Sequence, residues 1–296
     1  SIYVSLTVIN FVALLIAKMP WFDALCTAFG TAGTGGFGIK ADSLTGYSPA
    51  IQIVTTVFML LFGINFNCYY WLMLRNVRSV LKNEELRLYL GSFVVATALI
   101  TVNTLRMFSS VGEVIRHASF QVASIMTTTG FATTDFNLWP SFSKAVILAL
   151  MIMGACAGST GGGFKCIRVL LLFKSLKRSI KKMLHPQSVE TVRVDGEPVR
   201  EGIINGTVAY LIAYAFIAVA SFLVISIDGF SVETNLSAML SCLNNIGPGF
   251  DVVGPMGSFA GYGIISKLVL IFDMLAGRLE IFPVLVLFSK RTWKVT

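Results

Sequence analysis

The sequence has 296 residues, of which 55% are hydrophobic and 13% are charged, and its mean hydropathy is +0.77. This composition is too apolar for an ordinary soluble protein and indicates a polytopic membrane protein. The net charge of +8 could suit nucleic acid, but the basic residues cluster after the second, fourth and sixth long apolar segments. Such clusters mark the cytoplasmic side of a membrane, so we expect no nucleic-acid partner.

The predicted elements recur three times in chain order as a long apolar span, a short helix, a polar turn and a second long span. Spans are predicted at residues 1–18, 48–74, 86–105, 141–173, 203–227 and 261–288, and short helices at residues 21–29, 111–126 and 232–243. The short helices cannot cross a bilayer, which needs about 20 helical residues. We therefore expect them to enter the membrane and turn back, with each turn lining a pore. The alternative is a set of glycine- and threonine-rich loops outside the membrane.

The three turns align with a glycine at one register, and this register is the candidate filter. The candidate ion-binding residues are Thr34, Gly35, Gly36, Thr128, Thr129, Gly130, Asn245, Ile246 and Gly247. Glycine lets the backbone turn its carbonyl oxygens inward, and a ring of carbonyls can replace the hydration shell of a cation. No carboxylate occupies the register, which favours a monovalent cation. Asp42, Asp135 and Asp251 follow the turns and would either concentrate cations or, as we favour, act as solvated caps.

The fourth long span is interrupted by a glycine-rich segment. Five glycines fall within the ten residues that begin at Gly154, and each destabilises a helix by about 1 kcal/mol relative to alanine. An unwound segment at membrane depth must line a cavity, so we expect a gate. The candidate gate residues are Ala157, Gly158, Ser159, Thr160, Gly161, Gly162, Gly163 and Lys165. A phosphate-binding loop is disfavoured because Phe164 separates Gly163 from Lys165.

Two further features lie near the cytoplasmic side. Arg278 falls inside the last span, where an ionisable residue usually faces a cavity or a partner. It would either act as a cationic barrier in the pathway or pair with Asp273 or Glu280. Residues 183–201 leave the membrane, and Asp195-Gly196 predicts a β-hairpin there. This segment could dock a cytoplasmic partner or anionic lipid, although its charge also follows from topology alone.

The five cysteines are scattered through apolar or membrane-adjacent sequence without the CxxC spacing of a metal site. We expect small buried side chains rather than disulfides or metal ligands. The cysteines are Cys26, Cys68, Cys156, Cys166 and Cys242.

Five motifs carry a resemblance to a known family. They are the turns Thr-Gly-Gly-Phe, Thr-Thr-Gly-Phe and Asn-Asn-Ile-Gly-Pro-Gly, together with Ala-Gly-Ser-Thr-Gly-Gly-Gly-Phe-Lys and Gly-Arg-Leu-Glu. In combination they resemble the Trk/Ktr/HKT superfamily of potassium transporters. The bacterial TrkH branch is the best match. The resemblance implies an all-α polytopic membrane protein in which repeated units of helix, re-entrant pore helix, loop and helix surround a pseudo-symmetric ion pore. It also implies potassium as the substrate at Gly36, Gly130 and Gly247, a gate at residues 157–165 and a pore arginine at Arg278.

The resemblance further implies no cofactor, a homodimer in the bacterial inner membrane, and a cytoplasmic nucleotide-binding regulatory subunit of the TrkA kind. The family has four repeats, and this chain resembles the second (residues 1–82), third (83–182) and fourth (202–296), with a linker at 183–201. We therefore expect the C-terminal portion of a longer protein. A sodium or mixed-cation transporter of this architecture is the nearest alternative. A membrane-embedded enzyme or a nonconducting scaffold is more distant, because no His, Asp or Glu cluster shows ligand spacing.

Overall fold

The computed structural model describes residues 2–187 and 190–287, which form helices, connecting loops and a short β-hairpin. The first unit contains α1 (Ile2–Ile16), α2 (Trp21–Ala32), α3 (Pro49–Phe62), α4 (Phe66–Met73) and α5 (Val77–Lys82). The second contains α6 (Glu84–Thr104), α7 (Val111–Met126), α8 (Ser141–Met153) and α9 (Cys166–Leu184). After β1 (Arg193–Val194) and β2 (Glu197–Pro198), the third contains α10 (Glu201–Ile225), α11 (Val232–Asn244), α12 (Ile264–Arg278) and α13 (Ile281–Leu287).

Two described helical segments are long and apolar enough to cross a membrane, namely Glu84–Met107 and Glu201–Asp228. Helices α3 and α4 meet the same criterion only as a pair, which is bent by 89°. The long span predicted at residues 48–74 is therefore divided into two helices by a sharp bend. Gly63 ends α3, and the Asn65 side chain caps α4 by accepting a hydrogen bond from the Asn67 N–H at 2.9 Å.

The last predicted span is also divided, because α12 ends at Arg278 and α13 begins at Ile281. Glu280 lies between them with a φ of 68°, a left-handed conformation that interrupts a right-handed helix. The interruption predicted for the fourth span is confirmed, since residues 154–165 separate α8 from α9. The basic residues Lys290, Arg291 and Lys294 lie outside the described residues.

Each short helix lies between the two helices that flank it in sequence. Helix α2 contacts α1 and α3, α7 contacts α6 and α8, and α11 contacts α10 and α12. Helix α7 also contacts α3 of the first unit, and every residue from Phe120 to Met126 is buried. Serine hydroxyls cap the starts of α7 and α11: Ser110 accepts from Glu113 N–H, and Ser231 from Thr234 N–H.

The long helices present apolar side chains outward. In α10, Ile212, Phe216, Val219 and Leu223 are exposed, whereas Tyr210, Tyr214, Ala218 and Ser221 are buried. An exposed apolar stripe along a 25-residue helix would be unfavourable in water and suits the hydrocarbon of a bilayer.

The hairpin predicted from Asp195-Gly196 is confirmed. Asp195 and Gly196 have φ values of 54° and 91°, as a tight two-residue hairpin turn requires, and Val194 pairs with Glu197. The Asp195 carboxylate accepts hydrogen bonds from the Asn83 side chain at 2.8 Å and the Glu84 N–H at 2.7 Å. The hairpin is thereby fixed to the start of α6.

The cysteines behave as small apolar side chains, as expected. Four are buried, Cys26 is half-buried, and all five are free thiols.

Candidate functional site

The same backbone turn follows each short helix. Its first residue is left-handed, with φ values of 50° at Thr34, 57° at Thr128 and 57° at Asn245. Two residues later a left-handed glycine follows, with φ values of 64° at Gly36, 86° at Gly130 and 111° at Gly247. The three glycines that align in sequence therefore also share a positive φ at the same position of their turns.

The middle residue of each turn makes the same hydrogen bond. Its N–H donates to a carbonyl oxygen of the preceding helix: Gly35 to Gly30 at 2.8 Å, Thr129 to Ser124 at 2.9 Å and Ile246 to Ser241 at 2.9 Å. Within residues 2–187 and 190–287, no hydrogen bond is made to the carbonyl oxygens of these three middle residues. These oxygens are available as ligands for a cation.

The turns lie side by side and form an arc. A methyl group added at Gly36 would overlap the carbonyl oxygen of Thr129, and one added at Gly130 would overlap the carbonyl oxygen of Ile246. A Cβ at Gly247 would lie 3.8 Å from the Cα of Gly130. The structure thus brings the three predicted glycine positions together, with each of the first two glycines against a carbonyl of the next turn.

One side of the arc is open. A cavity of about 840 Å³ separates the first turn from the third. Gly35 and Phe37 line one wall, while Ile246, Gly247 and Leu270 line the other. The ring of Phe37 is 84% exposed and projects into this opening.

The segment between α8 and α9, residues 154–165, lies against the C-terminal ends of all three short helices. We call it the intramembrane loop. The Thr34 hydroxyl donates to the Thr160 carbonyl at 2.9 Å, and the Gly162 N–H donates to the Thr128 hydroxyl at 2.6 Å. A methyl group at Gly162 would lie 2.6 Å from the Asn244 carbonyl oxygen. The predicted gate residues therefore lie directly beneath the arc.

Arg278 lies at the last residue of α12 and reaches the intramembrane loop. Its guanidinium donates to the carbonyl oxygens of Thr160 at 3.1 Å and Gly33 at 3.4 Å. The alternative of an ion pair with Asp273 or Glu280 is not what the structure shows. Asp273 accepts from the Ser221 hydroxyl at 2.7 Å, and Glu280 pairs with Arg168.

Lys165 provides a second cation at the same loop. Its ammonium group donates to the Gly161 carbonyl oxygen, and the residue itself is left-handed, with a φ of 77°. Lys165 and Arg278 therefore each bind a carbonyl oxygen of the loop, at Gly161 and at Thr160. The inner side of the arc carries two positive charges.

The sequence did not reveal the residues outside the filter turns that hold the intramembrane loop in place. The Glu85 carboxylate, in a residue only 4% exposed, accepts a hydrogen bond from the Ala157 N–H at 2.6 Å. At the bend between α3 and α4, the Gly63 carbonyl accepts from the Cys156 N–H at 3.1 Å, and the Phe66 N–H donates to the Gly158 carbonyl at 3.1 Å. The only sequence signal for Glu85 was an acidic residue beginning an apolar span, which Glu84 shares.

The acidic residues after the turns have local partners. Asp135 accepts a hydrogen bond from the Asn137 N–H at 3.0 Å. The Asp251 carboxylate accepts from the hydroxyls of Thr234 at 2.6 Å and Ser231 at 3.0 Å, and these bonds hold the pKa of Asp251 below its usual value. Asp135 therefore makes a capping contact, the Asp251 carboxylate binds side-chain hydroxyls, and Asp42 is half-buried on its loop.

Comparison with known proteins places the chain in a family. The family model for TrkH, described as a cation transport protein, matches residues 1–294. The Trk system potassium uptake protein TrkH of Salmonella typhimurium is 36% identical over 99% of this chain and 61% of its own length. The Trk system potassium uptake protein TrkG of Escherichia coli is 32% identical over 94% of this chain and 58% of its own.

A solved structure matches in fold as well. The crystal structure of the potassium transporter TrkH from Vibrio parahaemolyticus superposes with a TM-score of 0.90 at 34% identity, and covers 99% of this chain and 64% of that one. The chain thus spans about three fifths of the length of these relatives. The match confirms the all-α polytopic membrane fold and the resemblance inferred from the motifs. The chain belongs to the TrkH family of cation transport proteins.

Proposed function

We propose that this chain forms the larger part of a potassium pathway and that the arc of three turns is its selectivity filter. The observation that carries the proposal is the repeated turn, which leaves the carbonyl oxygens of Gly35, Thr129 and Ile246 without internal partners. Ordered carbonyls can replace the water around a cation. The names of the relatives, potassium uptake proteins, support potassium as the substrate.

A cation needs ligands on every side, so we infer that a further turn completes the arc. The cavity beside Phe37 and Gly247 lies where such a turn would be needed. A sodium or mixed-cation transporter would use the same arc. Glycine at all three registers favours potassium, as do the relatives. The enzyme and scaffold alternatives find no support among relatives named for uptake.

We also propose that the intramembrane loop is the gate. It lies beneath all three turns, and its carbonyl oxygens are held by Arg278 and Lys165. In this position the backbone and the two positive charges obstruct a cation that leaves the filter toward the cytoplasm. Opening requires that the loop move away from Thr34 and Thr128.

For the assembly we propose a homodimer in the bacterial inner membrane, regulated by a cytoplasmic nucleotide-binding subunit. The relatives are named as parts of a Trk system, and the α9 and hairpin segment presents basic residues on the side opposite the filter turns.

The filter proposal is tested by replacing Gly130 with serine in the full-length protein in vesicles. The residue has a φ of 86°, and its Cβ would overlap the Ile246 carbonyl oxygen, so the turn must shift. We expect rubidium uptake to fall at least about tenfold, since one or two kcal/mol of strain enters the pathway, and sodium to compete better.

The matched control is Gly112→Ser, which changes a glycine in α7, the helix that precedes the turn of Gly130. A Cβ at Gly112 meets no atom within 4 Å, so uptake should stay at the wild-type level. Rubidium uptake and selectivity that are unchanged in Gly130→Ser would remove Gly130 from the filter.

A further inference from the structure

The Glu85 carboxylate holds a position that the proposed function does not explain. Glu85 lies in the first turn of α6, is 4% exposed, and points away from solvent toward the intramembrane loop. Burying a carboxylate is costly unless hydrogen bonds to it compensate. Its neighbour Glu84 instead forms an ion pair with Lys174 at the surface.

The Glu85 carboxylate contacts the intramembrane loop near its first end, where the Ala157 N–H donates to it at 2.6 Å. The Asn65 side chain, at the bend between α3 and α4, and the backbone N–H of Ile167, in the first turn of α9, lie beside the same carboxylate. A helix N-terminus favours a negative charge. One side chain therefore lies between the two ends of the loop and the bend between α3 and α4.

We propose that Glu85 is a positioning residue that keeps the intramembrane loop beneath the filter. Its carboxylate fixes Ala157, and the following residues of the loop are thereby held against Thr128 and Asn244. The inference deepens the proposed function, because it rests on the loop being the gate. In this proposal Glu85, which lies outside both the loop and the filter, stabilises the loop in the position that obstructs the pathway.

The test measures loop position directly, without relying on ion flux. Cys156, next to Ala157, is 1% exposed and serves as a native reporter when every other cysteine of the full-length protein is replaced by alanine. Its rate of reaction with a maleimide is measured in the full-length protein, for Glu85→Ala, Glu85→Gln and the adjacent control Glu84→Ala. The control removes the Lys174 ion pair and leaves the loop contacts intact.

We expect Cys156 to react about ten- to hundredfold faster in Glu85→Ala, the range that follows from losing hydrogen bonds to a charged acceptor. Glu85→Gln retains an acceptor oxygen without the charge, and its rate should fall in between. If the alanine variant does not fold, as judged by gel filtration, the glutamine variant carries the test. Labelling at the control rate in the folded Glu85 variants would overturn the proposal.

Rubidium uptake by the same variants distinguishes failure of this inference from failure of the proposed gate. Faster labelling together with higher basal uptake supports both the positioning role and the gate. Faster labelling with unchanged uptake upholds the role of Glu85 and rejects the loop as the barrier to ions. Unchanged labelling rejects the role of Glu85 whatever the uptake.

Discussion

The left-handed threonines of the first two turns are the strained residues of the candidate site. A β-branched side chain rarely adopts a positive φ, yet φ is 50° at Thr34 and 57° at Thr128, at a cost of about 1–3 kcal/mol each. Both hydroxyls hydrogen-bond to the intramembrane loop, at Thr160 and Gly162. The contact with the loop therefore helps to offset the strain, and we infer that loop movement and filter conformation are coupled through these hydroxyls.

Arg278 is the side chain whose charge should matter most to the pathway. In Arg278→Gln the positive charge is removed, and the bonds to Thr160 and Gly33 are weakened. We expect basal rubidium uptake in vesicles to rise about tenfold, because a hydrogen bond from a charged donor contributes about 1.5 kcal/mol at the low end.

The control for Arg278 is Lys267→Gln, on the same helix. Lys267 donates to the Ala260 carbonyl at 2.8 Å, away from the loop, so its removal should leave basal uptake as in the wild type. A decrease of uptake in Arg278→Gln would contradict a role as barrier and indicate a structural one.

At the scale of elements, the intramembrane loop is the proposed gate. Deleting residues 158–163 removes the loop contacts to Thr34, Thr128 and Arg278 together. We expect basal rubidium uptake to rise severalfold in protein that elutes as a single species on gel filtration. An unchanged uptake in such protein would reduce the loop to a connection between α8 and α9.

The elements that sequence could predict are those with local signals. The short helices, the glycine register, the break after α8 and the Asp195-Gly196 hairpin each have a composition or length that favours one local structure. The bend at Gly63 was missed because one glycine is common in membrane helices. Its stabilisation comes from Cys156 and Gly158, about a hundred residues away in sequence.

In the candidate site too, local features could be predicted from the sequence, whereas long-range contacts could not. The alignment of turns identified Gly36, Gly130 and Gly247 as neighbours, but it gave no sign of which carbonyl each would meet. The roles of Glu84 and Glu85 could not be separated either, since adjacent residues of a helix start differ only in the face they present. Tertiary contacts decide that Glu85 turns inward.

At the scale of the whole molecule, the second and third units are joined on the outer side. The Asn137 side chain donates to the Asp251 carbonyl at 3.2 Å and accepts from the Asp251 N–H at 2.8 Å. Lys144 forms an ion pair with Glu233 at 3.0 Å across the same boundary. These contacts link the loop after the second turn to the loop after the third.

The Asp251 carboxylate, which is bound within the third unit, makes the stability of that unit depend on pH. Its pKa is lowered, first by the Thr234 hydroxyl and then by Ser231, so ionised Asp251 stabilises the folded state above its unfolded pKa, near 4. The stabilisation is lost as the pH falls through the folded pKa. We expect the wild-type Tm to drop more steeply than that of Asp251→Asn below about pH 4.

Asp42→Asn, on the loop of the first unit, is the control for this measurement and should follow the wild-type curve. Asparagine also tolerates the left-handed conformation of Asp251, whose φ is 56°, so backbone strain does not confound the comparison. Parallel Tm curves for wild type and Asp251→Asn would contradict the role of the carboxylate.

The bend between α3 and α4 and the break between α8 and α9 supply each other's missing hydrogen bonds. Gly63 accepts from Cys156, and Phe66 donates to Gly158, so neither irregularity could persist in lipid without the other. Displacing the loop therefore leaves α4 with unsatisfied backbone groups unless α4 also moves. Movement of α4, and of the basic residues Arg75 and Arg78 that follow it, is therefore coupled to movement of the intramembrane loop.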